Sequence, residues 1–188
     1  CNLMAGFYLN DVAAAQLDFR DNVDLLPLWM TVVKDIAVML SKDNIMLFFD
    51  PMSPTPFPIF SEAAKHYHHP VAQVRTHVQA VSLEIFLKLR DEDFWSEPLF
   101  QLVLMESATL FTHVCCLLRE FWRMADEAFR HGVKRDLRSA LFIQNDILMY
   151  LNDVFACDIP RLNEIVQEKL LRFAILPVLL RSLVLRRP

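Results

Sequence analysis

FPIFSEAAKHYHHPVAQVRTHVQAVSLEIFLKL, residues 57–89, decides the fold class. Val71, Val74, Val78, Val81, Ile85 and Leu89 recur at intervals of three and four, so they line one stripe of a helix and cannot share one face of a strand. Pro58 stands where proline is tolerated, in a first helical turn, which predicts a helix from about Phe57–Pro58 to about His68. His69 precedes Pro70, whose ring disfavours helical backbone in the residue before it, so one helix ends there and the next begins at about Val71. The stretch therefore reads as two helices joined at a His-Pro corner.

The same period extends outward. Asp21 and Asp24 form an acidic start to a segment in which Leu25, Trp29, Val32, Val33, Ile36 and Leu40 are helically spaced. A short apolar run at 44–49 leads into DPMSPTPFP, whose four prolines predict a stiff spacer and offer a PxxP ligand as the minority alternative. Pro98 opens a helical region that can reach Arg130, long enough that a break or bend is expected within it. Gly132 stops it. Further helices are expected over about 135–156 and 161–174, with Pro177 breaking or kinking the last. Seven or eight helices on short turns, several apolar on more than one face, predict an all-α chain of stacked helical hairpins, an armadillo- or HEAT-like solenoid. The 188 residues suit a single domain over 1–188, and the opening Cys1 suggests a fragment of a longer chain.

Composition narrows the chemistry. Only two glycines are present, which excludes the glycine-rich loops that let backbone approach phosphate, and no GxSxG elbow occurs. Net charge is −4, so no overall basic field invites nucleic acid. The chain is 54% hydrophobic, and that excess must lie in a core, a partner surface or lipid. The apolar runs are cut by Glu106 or bracketed by Arg172 and Arg181, which argues against a spanning segment. Cys115 and Cys116, adjacent in an apolar run, read as buried reduced thiols.

Three of the six histidines fall within residues 66–69. Glu62, His66 and His69 lie at spacings that would share a helix face, the pattern of a metal-dependent site. Pro70 removes His69 from that face and His68 points elsewhere, so a structural corner is favoured and no metal or cofactor is assigned. Arg75, beside the apolar stripe, is read as a staple reaching carboxylates or carbonyl ends, with partner binding as the alternative. Phe94 and Trp95, beside three acids, are candidates for a partner anchor against a rim-packing role. Asn152 and Asp153, seven residues after Asn145 and Asp146 and so on one helix face, read as polar junctions bonded to adjacent backbone in preference to an acid–base pair, and are kept as candidates for a partner contact. Arginines among leucines over 170–187 suit peripheral contact with an anionic membrane, or an ordinary amphipathic helix. No serine or cysteine has an identifiable base, so no catalytic residue is assigned.

Taken together, Phe57-Pro58-Ile59, Glu62-Ala63, His69-Pro70, Val74-Arg75 and Ser82-Leu83 resemble the signature of the FPL-domain family. YLNDVAAAQLDF (8–19), LFIQNDIL (141–148) and LLRFAILPVLLRSLV (170–184) extend the resemblance over most of the chain. Ile59 stands where the family's name has leucine, and 51–56 and 94–131 diverge. The resemblance implies a cytoplasmic, non-catalytic adaptor, peripheral on endosomal and lysosomal membranes, in endosome-to-lysosome or vacuole trafficking and autophagy. It also implies vesicle-tethering or ubiquitin-ligase machinery as partners. Two other classes stay open: a structural subunit of a large assembly, and a metal-dependent enzyme using Glu62, His66 and His69.

Overall fold

A computed structural model describes Tyr8, residues 10–14 and residues 24–185, without the side chains of 182, 184 and 185. The described residues are helical with no strand, so the chain is all-α. Residues 10–14 are helical, and seven longer helices follow: α1 (Leu25–Met39), α2 (Pro58–Lys65), α3 (Ala72–Leu89), α4 (Pro98–Arg130), α5 (Lys134–Ala156), α6 (Pro160–Lys169) and α7 (Leu176–Leu185). The chain forms two compact units, Cys1–Glu106 and Ser107–Pro188, whose boundary falls inside α4.

In the first unit the Val-Ile stripe behaves as its spacing requires. Val74, Val78, Val81, Ile85 and Leu89 of α3 are buried, and Val71, the N-cap, is partly buried. Against α3 pack α1, through Leu26, Trp29, Met30, Val33 and Ile36, and α2, through Ile59 and Phe60. Phe60 meets Phe86 edge-on, with ring centres 5.9 Å apart. Such T-shaped pairs add roughly 0.5–1.5 kcal/mol beyond the area they bury. Pro58 takes the first helical position of α2, while Phe57 and Ile59 on either side are fully buried. Residues 10–14 are tied down by two bonds: Asn10 Nδ2 donates to Phe48 O at 2.9 Å and Trp29 Nε1 to Val12 O at 3.3 Å. Asp21 lies outside the described residues; Asp24 occupies the N-cap position of α1.

The proline-rich connector is not an extended spacer. The Asp50 N–H donates to Pro56 O at 2.9 Å, the Ser53 N–H to Asp50 O at 3.1 Å, and Asp50 Oδ1 accepts the Met52 N–H at 3.0 Å. A side chain that accepts from the backbone two residues on makes an Asx turn, which folds 50–56 back on itself where proline count alone suggested polyproline geometry.

α4 runs unbroken through 33 residues, against the expected interruption. Pro98 stands at its start, and no proline or glycine follows before Gly132, so nothing in its backbone forces a break. By length and composition this helix is apolar enough to cross a membrane. Glu106 of this helix accepts from the Ser61 hydroxyl at 2.8 Å, a charged side chain tied to α2 within the first unit.

In the second unit α4 ends in a Schellman motif. Val133 N–H donates to Ala128 O at 2.9 Å and Gly132 N–H to Phe129 O at 3.2 Å, with Gly132 at φ +69°. That reversal sends α5 back along α4. Gln144 Nε2 donates to Phe121 O at 2.8 Å, and Tyr150 stacks on Phe111 with ring centres 6.1 Å apart. Residues later in α5 meet residues earlier in α4, so the pair is antiparallel. α5 ends at Ala156 with Cys157 as its C-cap, Asp158 follows as a non-glycine residue in the left-handed region (φ 56°), and Pro160 begins α6.

Beyond α6 the helix does not simply kink at Pro177. Residues Leu170–Ile175 widen into a π-helical turn before α7 begins at Leu176. Pro177 has no N–H for the carbonyl four residues back, and its ring would crowd that carbonyl. The wider turn takes up the misfit without ending the helical path.

Candidate functional site

At the His-Pro corner, α2 stops at Lys65, three residues short of the expected end, and His66 is its C-cap. Each candidate metal ligand is engaged elsewhere. Glu62 Oε1 pairs with Lys65 Nζ at 2.6 Å, His66 packs edge-on against Trp29 with centroids 5.7 Å apart, and His69 Nδ1 accepts the Val71 N–H at 3.3 Å. Burial pushes the His66 pKa below the ordinary histidine value, helped by the neighbouring His69 and Lys65 and opposed by Glu62. Among the described residues no group of three or more His, Cys, Asp or Glu side chains is placed to hold a metal.

Arg75 reaches back over the corner. Its Nη1 donates to His69 O at 3.1 Å and Pro70 O at 3.2 Å. These carbonyls lie beyond the end of α2, where no helical N–H returns to them, so one guanidinium holds the link between α2 and α3.

Phe94 and Trp95 are half-buried, in and just after a short 3₁₀ turn over Glu92–Phe94. Trp95 stacks on Phe100 at 6.3 Å, and its carbonyl accepts from Gln101 Nε2 at 2.7 Å. The indole therefore faces inward against the start of α4. Asp91 pairs with Lys42 across the same unit.

Asn152 and Asp153 are both exposed on α5. They do not stand alone there. Leu141, Phe142, Asn145, Leu148 and Met149 are exposed on the same helix. At about 100° per residue these seven positions fall within a sector of about 140°. The opposite face, Ala140, Gln144, Ile147, Leu151 and Val154, is buried. Phe142 is 77% exposed and Met149 59%, values well above those of core side chains. Sequence reading found the polar members of this face and missed the apolar ones. The signal was available, since 141, 145, 148, 149 and 152 follow helical spacing beside a second apolar stripe. An outward sector mixing large apolar side chains with asparagine amides can dock a protein surface, the apolar groups supplying area and the amides fixing register.

The three described cysteines are free thiols. Cys115 and Cys157 are buried and Cys116 is half-buried, a correction to the expectation that both adjacent thiols face the core. Neighbours in a helix lie about 100° apart, so both cannot point the same way. Burial, with Cys116 nearby, pushes the Cys115 pKa up to about 12, so it stays a thiol.

The fold and this surface define an all-helical chain with an outward apolar-amide helix face. The FPL family model, described as an uncharacterised conserved protein, matches residues 2–86, which bears out the resemblance read from the sequence. The chain is also 24% identical over 185 residues to Protein CLEC16A homolog of Drosophila melanogaster, 21% over 186 to Protein CLEC16A of Homo sapiens, and 24% over 190 to Protein CLEC16A of Mus musculus. Each similarity covers 96% of this chain and 17% of the relative, so the chain spans about a sixth of their length. No solved structure matches it.

Proposed function

We propose that the chain is the helical part of a non-catalytic adaptor of membrane trafficking and autophagy, acting through protein–protein contacts. The observation that carries this reading is the α5 face, with Phe142 and Met149 exposed among Asn145, Asn152 and Asp153. The distant similarity to CLEC16A proteins supplies the trafficking context, and vesicle-tethering or ubiquitin-ligase proteins are the partners it suggests. Cytoplasmic placement at endosomal and lysosomal membranes belongs to the same proposal, as does an armadillo-like stacking of the helices. Peripheral membrane contact through 170–187 is supported by exposed Leu176, Leu179, Leu180 and Leu183 of α7.

Proximity labelling in cells tests the reading, comparing the wild type with a Phe142→Asp, Met149→Asp variant. The proposal expects endosomal and lysosomal tethering or ligase proteins to be enriched around the wild type and lost around the variant. Equal enrichment in both would assign partner binding elsewhere.

A further inference from the structure

The second unit holds a groove of about 1020 Å³, one wall of which belongs to the 170–187 segment, and the site deepens the membrane-contact reading of that segment. Its two sides differ in chemistry. On the α4 side stand Arg119, Arg123 and Arg130. On the other stand Ile175, Pro177, Val178 and Leu179, with Arg181 among them. Two carboxylates, Asp126 and Glu127, also line it, so four arginines against two acids leave a net charge of +2 where the chain as a whole carries −4. Arg130 pairs with Asp126 at 2.6 Å. Arg119, Arg123 and Arg181 have no ion pair among the described residues, and Arg123 and Arg181 are exposed.

Arg119 and Arg123 are one turn apart on α4, a rise of about 6 Å, close enough to serve one multiply charged group. The apolar wall begins at the end of the π turn at Leu170–Ile175. Such turns re-aim the residues that follow and are frequent at binding sites. The volume lies at the upper end of the range for small-molecule pockets, far more than a lone phosphate needs. Both sides are helical, with their backbone groups bonded internally, so an extended peptide would find no strand edge to pair with.

We infer that this groove binds an anionic phospholipid, its phosphoryl groups taken by Arg119, Arg123 and Arg181 and its chain laid along Pro177, Val178 and Leu179. The site is independent of the α5 face, so its failure and that of the adaptor reading are read in different variants.

Titration calorimetry of the whole chain with monomeric dioctanoyl phosphatidylinositol phosphate tests it, with dioctanoyl phosphatidylcholine, inorganic phosphate and a polyglutamate peptide as comparison probes. The phosphatidylinositol phosphate is expected to bind, and Arg123→Glu with Arg181→Glu to weaken it at least tenfold. Val178→Asp is expected to weaken it too, and Arg138→Glu, off the groove, to leave it unchanged. Circular dichroism verifies that each variant is folded. No binding, or binding unaffected by the paired arginine change, would overturn the site. Equal affinity for phosphatidylcholine would remove the charge argument, and equal affinity for inorganic phosphate would remove the lipid. Tight binding of polyglutamate without lipid binding would give the groove to an acidic protein segment instead.

Discussion

Ser61 Oγ lies 2.8 Å from both carboxylate oxygens of Glu106 and 3.0 Å from Phe57 O. A hydroxyl has one proton to give. The Glu106 carboxylate and the Phe57 carbonyl both accept from that hydroxyl, while burial raises the Glu106 pKa above the ordinary carboxylate value. The hydrogen bond from Ser61 and the charge of Lys65 oppose the shift, while Glu62 adds to it.

The sign of the pH dependence follows. Glu106 holds its proton more tightly folded than unfolded, so its contribution is complete below the ordinary carboxylate pKa and declines as pH rises through the folded value. Glu106→Gln keeps an acceptor for the Ser61 hydroxyl and removes the charge. Urea denaturation is therefore expected to show the variant more stable than wild type at neutral pH, with the gap closing below about pH 4.3. A gap that grew on acidification would contradict the upward shift of the Glu106 pKa.

The corner at Pro70 gives a second expectation. Arg75→Ala removes both bonds to the His69 and Pro70 carbonyls. The guanidinium is only partly buried, which discounts the loss to roughly 1 kcal/mol. Arg75→Lys keeps a cation but not the planar fork and is expected to fall between. Thermal melting measures both. An Arg75→Ala protein that melts as wild type but no longer holds its partners would make Arg75 a binding residue.

The two left-handed positions behave oppositely. A Cβ at Gly132 would meet nothing within 4 Å, so Gly132→Ala meets only backbone strain, about 1–2 kcal/mol. Asp158 already bears that strain, and Asp158→Gly is expected to raise the melting temperature, offset in part by the chain entropy glycine adds to the unfolded state. Paired melting curves of the two variants check the direction of each.

These elements differ in how legible they were. The α2–α3 hairpin could be read because its determinants are local: Pro58, Pro70 and a stripe from Val74 to Leu89. The end of α4 could be read for the same reason, since Gly132 is the residue a Schellman turn wants. The folded turn at 50–56 could not, because the Asp50 side chain decides it against four prolines that suggest extension. Nor could the π turn, a compromise between helix continuity and Pro177. The α5 surface was half visible. Asn152 and Asp153 stand out as poor helix formers, but whether Phe142 or Ile147 faces the core depends on where α4 lies. The α4 arginines were hidden by the same dependence, since Arg119 and Arg123 became groove residues only through Val178 and Arg181, more than fifty positions away.

Changes on the α5 face are expected to leave the fold alone. Phe142→Asp places a charge where the side chain is already 77% exposed, so a stability change within about 0.5 kcal/mol is expected. Leu151→Asp, on the buried face of the same helix, is expected to unfold the second unit. Circular dichroism melts of the two variants distinguish the faces.

The central claim is that α5 presents a partner surface. Its most direct measurement is quantitative affinity capture with the full-length chain, comparing wild type with Phe142→Asp, Met149→Asp at matched folded concentration. The account predicts that trafficking partners retained by the wild type drop at least tenfold in the variant while the melting curve stays unchanged. Undiminished capture by a folded variant would contradict it.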